Sequence, residues 1–169
     1  MKTPICSFDA KTGVLCAGCE AKLESGLLTP TDIEIAIKLT KLAEREEAVN
    51  TLSLISAAKL GVDSVLFFRG SDIVFLRSNP ELLKKLESEF GGAVWFVEAK
   101  ATDRKFIENL FFPSKVVSIN FFWLPDGKKL TKVLVEEKGS KIASKATKIQ
   151  DIAKELRNVE LIIEYENDC

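Results

Sequence analysis

The chain has 169 residues, 46% hydrophobic and 29% charged, enough to bury a core as one large domain or two small ones. No run approaches the roughly 20 apolar residues of a membrane span, and the start lacks the apolar stretch of a signal peptide, so a cytoplasmic location with no membrane partner is expected. There is no histidine, which removes the usual general acid/base, the His-containing triads and every Cys/His zinc pattern.

The formal net charge of −1 is unevenly spread. Residues 100–158 hold 13 Lys/Arg against 7 Asp/Glu, while residues 159–169 hold four acids and no base. A locally basic surface permits nucleic-acid contact, and it is equally the signature of a solvated face. Neither GxxxxGK[ST] nor GxGxxG occurs, so the familiar nucleotide-phosphate loops are absent. No paired arrangement of carboxylates, lysines or cysteine stands out, and the chain is not expected to be an enzyme.

Three of the four cysteines, Cys6, Cys16 and Cys19, fall within fourteen residues, and Cys16-Ala17-Gly18-Cys19 is a Cys-x-x-Cys pair. Two ligands three apart can wrap one ion from a tight turn. Asp9 stands three after Cys6, where a fourth cysteine would complete two matched knuckles. A structural metal, a cysteine cluster packing as a hydrophobic clip, and redox or disulfide chemistry are all open to such a segment. Cys169 is expected to be a free surface thiol.

Glu20–Gly26 reads as a short helix closed by glycine. Thr29-Pro30-Thr31-Asp32 supplies an N-cap, a proline at the first helical position and an acid at the third, opening a helix to about Val49. Thr51–Leu60 and Ser64–Arg69 read as strands around Gly61-Val62-Asp63. Gly70-Ser71-Asp72 is a break before the apolar run Ile73–Leu76. Ser78 and Glu81 stand in capping-box spacing ahead of a helix buried through Leu82, Leu83, Leu86 and Phe90. Ala93–Ala99 returns as a strand, and Thr102–Phe112 as a helix stopped by Pro113.

Lys115–Leu124 and Leu130–Glu136 then form a hairpin around Pro125-Asp126-Gly127. Residues 142–157 form a helix buried through Ile142, Ala146, Ile149, Ile152, Ala153 and Leu156, and Val159–Tyr165 closes as a strand. Each half thus reads strand–strand–helix–strand with a helix ahead of it. The duplication lies in element order rather than in repeated residues. Phe67, Phe68, Phe121, Phe122 and Trp123 suit base-stacking platforms, but adjacent strand residues face opposite sides, so one of each pair is expected in the core.

Pro4-Ile5-Cys6, Lys11-Thr12-Gly13-Val14-Leu15-Cys16, Cys19 and Lys22-Leu23-x-Ser25-Gly26, followed by Phe112-Pro113-Ser114-Lys115-Val116-x-x-Ile119-Asn120 and Leu124-Pro125-Asp126-Gly127, carry a resemblance. Together with the element order, they make the chain similar to a family of archaeal proteins related to the transcription factor NusA. The resemblance implies an α+β fold: a cysteine-rich metal knuckle (1–28), a first KH-like module (29–112) and a second (113–169). It further implies structural zinc held by Cys6, Asp9, Cys16 and Cys19, and a non-enzymatic factor acting in transcription elongation or termination through RNA.

Two departures mark this sequence. Asp9 replaces the second knuckle cysteine, giving a Cys3Asp set, which zinc accepts. KH domains clamp the nucleic-acid backbone with a GxxG turn, and here that position reads Leu76-Arg77-Ser78-Asn79-Pro80. Candidate RNA contacts are Arg77, Ser78, Asn79, Lys84 and Lys85 around this corner, with Lys138, Lys141, Lys145 and Lys148 around the second-half loop and helix. The alternative is a protein-binding scaffold on RNA polymerase or a ribosomal particle, with direct RNA binding lost along with the glycines.

Overall fold

The computed structural model describes residues 1–136 and 141–166. It is an α+β fold with two three-stranded sheets, divided into compact units Met1–Lys100 and Ala101–Cys169. That division falls earlier than the 112/113 boundary expected from the sequence. Among the described residues no helix is long and apolar enough to cross a membrane.

The first unit opens with two short helices, α1 (Ser7–Thr12) and α2 (Ala17–Glu24), and then α3 (Pro30–Ala43). Thr29 and Asp32 close a full capping box on α3: the Asp32 N–H donates to Thr29 Oγ1 at 3.1 Å and the Thr29 N–H to Asp32 Oδ2 at 2.8 Å. The helix stops short of Val49 because Glu44-Arg45-Glu46-Glu47 offers no apolar side chain to continue its buried stripe. Burial resumes only in α4 (Glu47–Asn50), through Val49.

β1 (Leu54–Leu60) pairs antiparallel with β2 (Asp63–Phe68), and β2 pairs parallel with β3 (Val94–Glu98). The parallel return needs a crossover, supplied by α5 (Gly70–Arg77) and α6 (Pro80–Ser88). The stretch read as a break and an apolar run is therefore one helix, with Ile73 and Leu76, three apart, buried while Val74 is 68% exposed. Asn79, not Ser78, caps α6: its Oδ1 accepts the Leu82 N–H at 3.3 Å and Pro80 takes the first helical position. The Ser78 hydroxyl instead donates to Phe75 O.

The core joins Ile35, Leu39 and Leu42 of α3, Ile73 and Leu76 of α5, Leu82 and Leu86 of α6, and Leu54, Leu66, Phe68 and Val94 of the sheet. Ile5, Ala10, Cys19 and Leu28 belong to the same cluster. The N-terminal segment is thus part of the first unit's core rather than a loop with none of its own.

The second unit has α7 (Asp103–Phe111), β4 (Val116–Trp123), β5 (Lys129–Glu136), α8 (Lys141–Arg157) and β6 (Glu160–Glu166). β4–β5 is antiparallel and β5–β6 parallel, with α8 as the crossover. Phe106, Ile107 and Leu110 of α7, Ile119, Val133 and Val135 of the hairpin, Ile149, Ile152 and Ala153 of α8, and Leu161 of β6 are buried.

The two sheets share more than their strand order. Each first strand carries a β-bulge at its second residue, between Leu54 and Ser56 in β1 and between Val116 and Ser118 in β4. The bulged residues, Ile55 and Val117, are both exposed. Counting along the registers from the bulge, the pair Leu60↔Asp63 that closes the first hairpin matches Phe122↔Leu130 in the second. The first hairpin turns there through Gly61, with φ +63°, and Val62. The second runs on through Trp123↔Lys129 to a wider turn with Gly127 at φ +85°.

Candidate metal centre and basic surfaces

Cys6 and Cys16 are the N-caps of α1 and α2. An N-cap side chain ordinarily accepts a first-turn N–H; here both are thiols, and neither caps its own helix. Asp9 and Cys19 follow three residues later, so each helix start presents two side chains on one side. Gly13 reverses the chain after α1 at φ +77°, donating to Asp9 O at 2.8 Å. A side chain there would be strained even though no atom stands in its way. The reversal brings the Cys16 N–H to 2.9 Å from Asp9 Oδ2.

The four donor atoms all lie within 4.8 Å of one another, close enough to hold one metal ion, with Cys6 Sγ 4.0 Å from Cys16 Sγ. Tetrahedral zinc with bonds of about 2.3 Å sets neighbouring sulfurs about 3.8 Å apart, whereas a disulfide needs about 2.05 Å. All three thiols are free. Cys6 and Cys16 are exposed at the rim, while Asp9 and Cys19 are buried beneath them.

Asp9 supplies the clearest test of fit. Asp32, Asp63 and Asp72 are buried as well, and each accepts backbone N–H groups, from Thr29 and Ala57, from Ala93, and from Ser53 respectively. Asp9 alone among these keeps a buried carboxylate oxygen, Oδ1, with no hydrogen-bond partner among the described residues. A buried carboxylate is tolerated when it is paired or coordinates a metal, and a cation between the three sulfurs would satisfy Oδ1.

The electrostatics agree. The Cys16 amide, donating to Asp9 Oδ2, and then the neighbouring Cys19 thiol hold the Asp9 carboxyl down to about 2. In return the Asp9 carboxylate pushes the Cys19 thiol up to about 12, so without a cation the sulfur keeps its proton. A bound metal would displace that proton, as metal binding to cysteine does generally.

The basic candidates divide into two surfaces. At the α5–α6 corner Arg77, Ser78, Lys84 and Lys85 are exposed and Asn79 is half-buried. Lys85 is engaged by Glu46 at 3.0 Å, and the Leu82 N–H is consumed by Asn79. The corner is thus a capped helix start rather than an open set of phosphate-accepting amides. In the second unit Lys145 and Lys148 are exposed on α8, which Lys141 opens. Lys138, the Gly139-Ser140 loop, Cys169 and the Lys141 side chain lie outside the described residues.

The aromatic run of the second hairpin departs from what the sequence predicts. Phe68 is fully buried, as expected, but Phe121, Phe122 and Trp123 are 38%, 47% and 72% exposed. Phe122 lies where the second hairpin reaches the end of its first-unit counterpart, Trp123 passes it, and Phe121 stands one pair before it. On the same hairpin Lys129 bonds Asp103 at 3.1 Å, and Arg157 bonds the other Asp103 oxygen at 3.0 Å. These two cations, Lys129 first, hold the Asp103 carboxyl below its usual range.

No protein-family model and no curated protein matches the chain. Among solved structures it is similar to one described as "Crystal structure of APE1850", at 14% identity and a TM-score of 0.47, covering 75% of this chain and 95% of that one.

Proposed function

We propose that the chain is a non-enzymatic RNA-binding factor of the NusA-like KH class, acting in transcription, with an N-terminal knuckle closed by structural zinc on Cys6, Asp9, Cys16 and Cys19. The observation that carries the reading is the repeat: strand order, antiparallel-then-parallel pairing and the position of the bulge recur in both units. Two similar small sheet units in tandem suit a ligand that is itself extended and repetitive, as a nucleic-acid strand is. Residues 100–158 hold 13 bases against 7 acids, a basic stretch suited to phosphate that is set against the four acids of residues 159–169.

Zinc suits three thiolates and one carboxylate at near-tetrahedral spacing. Its role is structural: the four ligands leave no open position for a substrate, and they sit at two helix starts tied into the first unit's core. The metal would replace the thiol proton of Cys19 and give Asp9 Oδ1 a partner.

One observation favours a second reading, a protein-binding scaffold on RNA polymerase or a ribosomal particle. The corner that a KH domain opens with glycines is here closed by Asn79 and Pro80, and its Lys85 is already paired. Pull-down of the tagged protein with and without nuclease treatment separates the two. Partners lost with the RNA support the first reading; a partner set unchanged by nuclease contradicts it and supports the scaffold.

A further inference from the structure

Where the first hairpin turns through Gly61 and Val62 alone, the second runs on from Trp123 to Lys129. Leu60 ends the first hairpin's strand, whereas Phe122, its register equivalent, is followed by a tryptophan that is 72% exposed. A large apolar ring left this open contributes little to folding. Trp123 and Phe121, two apart on one strand, share a face with a spacing of about 6.8 Å. Lys129 stands opposite Trp123, with Nζ 4.4 Å from the Phe121 ring centroid and 5.8 Å from that of Trp123.

Two exposed rings on one face are an arrangement that takes stacked bases. The exposed rings offer π-faces to any base, and Lys129, bonded to Asp103, lies over both rings and ties them to the hairpin rather than serving as a phosphate contact. Lys128, next to Lys129, and Arg104, next to Asp103, are exposed. Asp126 spends an oxygen on the Lys128 N–H, and Asp103 is held by Lys129 and Arg157. Charge of this sign next to aromatic faces suits a polyanion with rings better than an apolar peptide.

We infer that the tip of the β4–β5 hairpin, Phe121, Trp123 and Lys129, is a stacking platform for unpaired bases of single-stranded RNA. This deepens the proposed function and rests on it, while placing base contact away from the α5–α6 corner. The platform reads no sequence: it selects single strands over duplex, in which the base faces are already stacked.

Tryptophan fluorescence tests it directly, because the other tryptophan, Trp95, is buried. Titration of the whole chain with a 12-nucleotide oligo(U) should quench the red-edge emission of Trp123, and a 12-base-pair RNA duplex should not. Trp123→Ala should weaken oligo(U) binding about 5- to 150-fold; Trp123→Phe should retain most of the affinity but lose the quench. Salt-sensitive oligo(U) binding with no quench, unchanged in Trp123→Ala, overturns the platform and leaves the proposed function standing. No retention of oligo(U) on a filter at low salt overturns both. Intact RNA affinity in Trp123→Ala with loss of a nuclease-resistant protein partner overturns the platform in favour of a protein surface.

Discussion

Asp9 is the one oxygen donor set among three sulfurs, and its environment shows what that position demands. One oxygen is committed to the Cys16 amide, and the other is buried without a donor. Under the proposed zinc site Asp9→Ala removes a ligand, and its effect on metal affinity should exceed the roughly 10- to 100-fold that losing a mere supporting hydrogen bond costs a metal site. Asp9→Cys should hold metal at least as well as the natural chain; metal content by mass spectrometry after dialysis checks both. Asp103 is a separate residue-scale case. Its folded pKa lies below the ordinary value, so its contribution is present above about pH 4 and is lost as pH falls below that. With 37% of the side chain exposed, the contribution should be no more than about 0.2–1 kcal/mol. Urea unfolding of Asp103→Asn should show less stability than the natural chain at pH 6 and a smaller difference at pH 3.

At the scale of elements, helix α6 separates two readings of its own start. Asn79→Ala should cost about 1 kcal/mol of stability in urea unfolding, whereas Ser78→Ala, which loses only a bond to Phe75 O, should cost less. The sequence made the strands of each hairpin legible because Gly61, and Pro125 with Gly127, punctuate short apolar runs. It also made α3 legible from its cap. It misled at α5: Ile73–Leu76 is apolar throughout, and four such residues in a row do not reveal which two face inward. It misled again at Phe121–Trp123, because alternation predicts which face a side chain takes but not whether anything covers that face. The cysteine cluster was legible from spacing alone, and the orphaned oxygen that makes Asp9 its fourth member became visible only in three dimensions.

At the scale of the molecule, the N-terminal knuckle and the first sheet share one core through Ile5, Ala10, Cys19 and Leu28. Chelation should therefore loosen the knuckle without unfolding the unit. Trypsin should cut faster after exposed Lys11, while far-UV circular dichroism changes little. Collapse of the dichroism on chelation would show the metal organising the whole unit. The two sheets, so alike in pairing and bulge, differ where they meet solvent: the first ends its hairpin in a two-residue turn, and the second carries its rings and lysines outward. Function is expected to follow that difference, with the basic stretch of residues 100–158 and the exposed rings of the second hairpin set against the acids of residues 159–169. The most direct measurement is the affinity for single-stranded RNA as a function of salt. The account predicts binding at low salt that weakens with a log–log slope of about −2 to −3, the release expected from three or four phosphate contacts. Absence of binding at about 20 mM salt, or an affinity indifferent to salt, would contradict it.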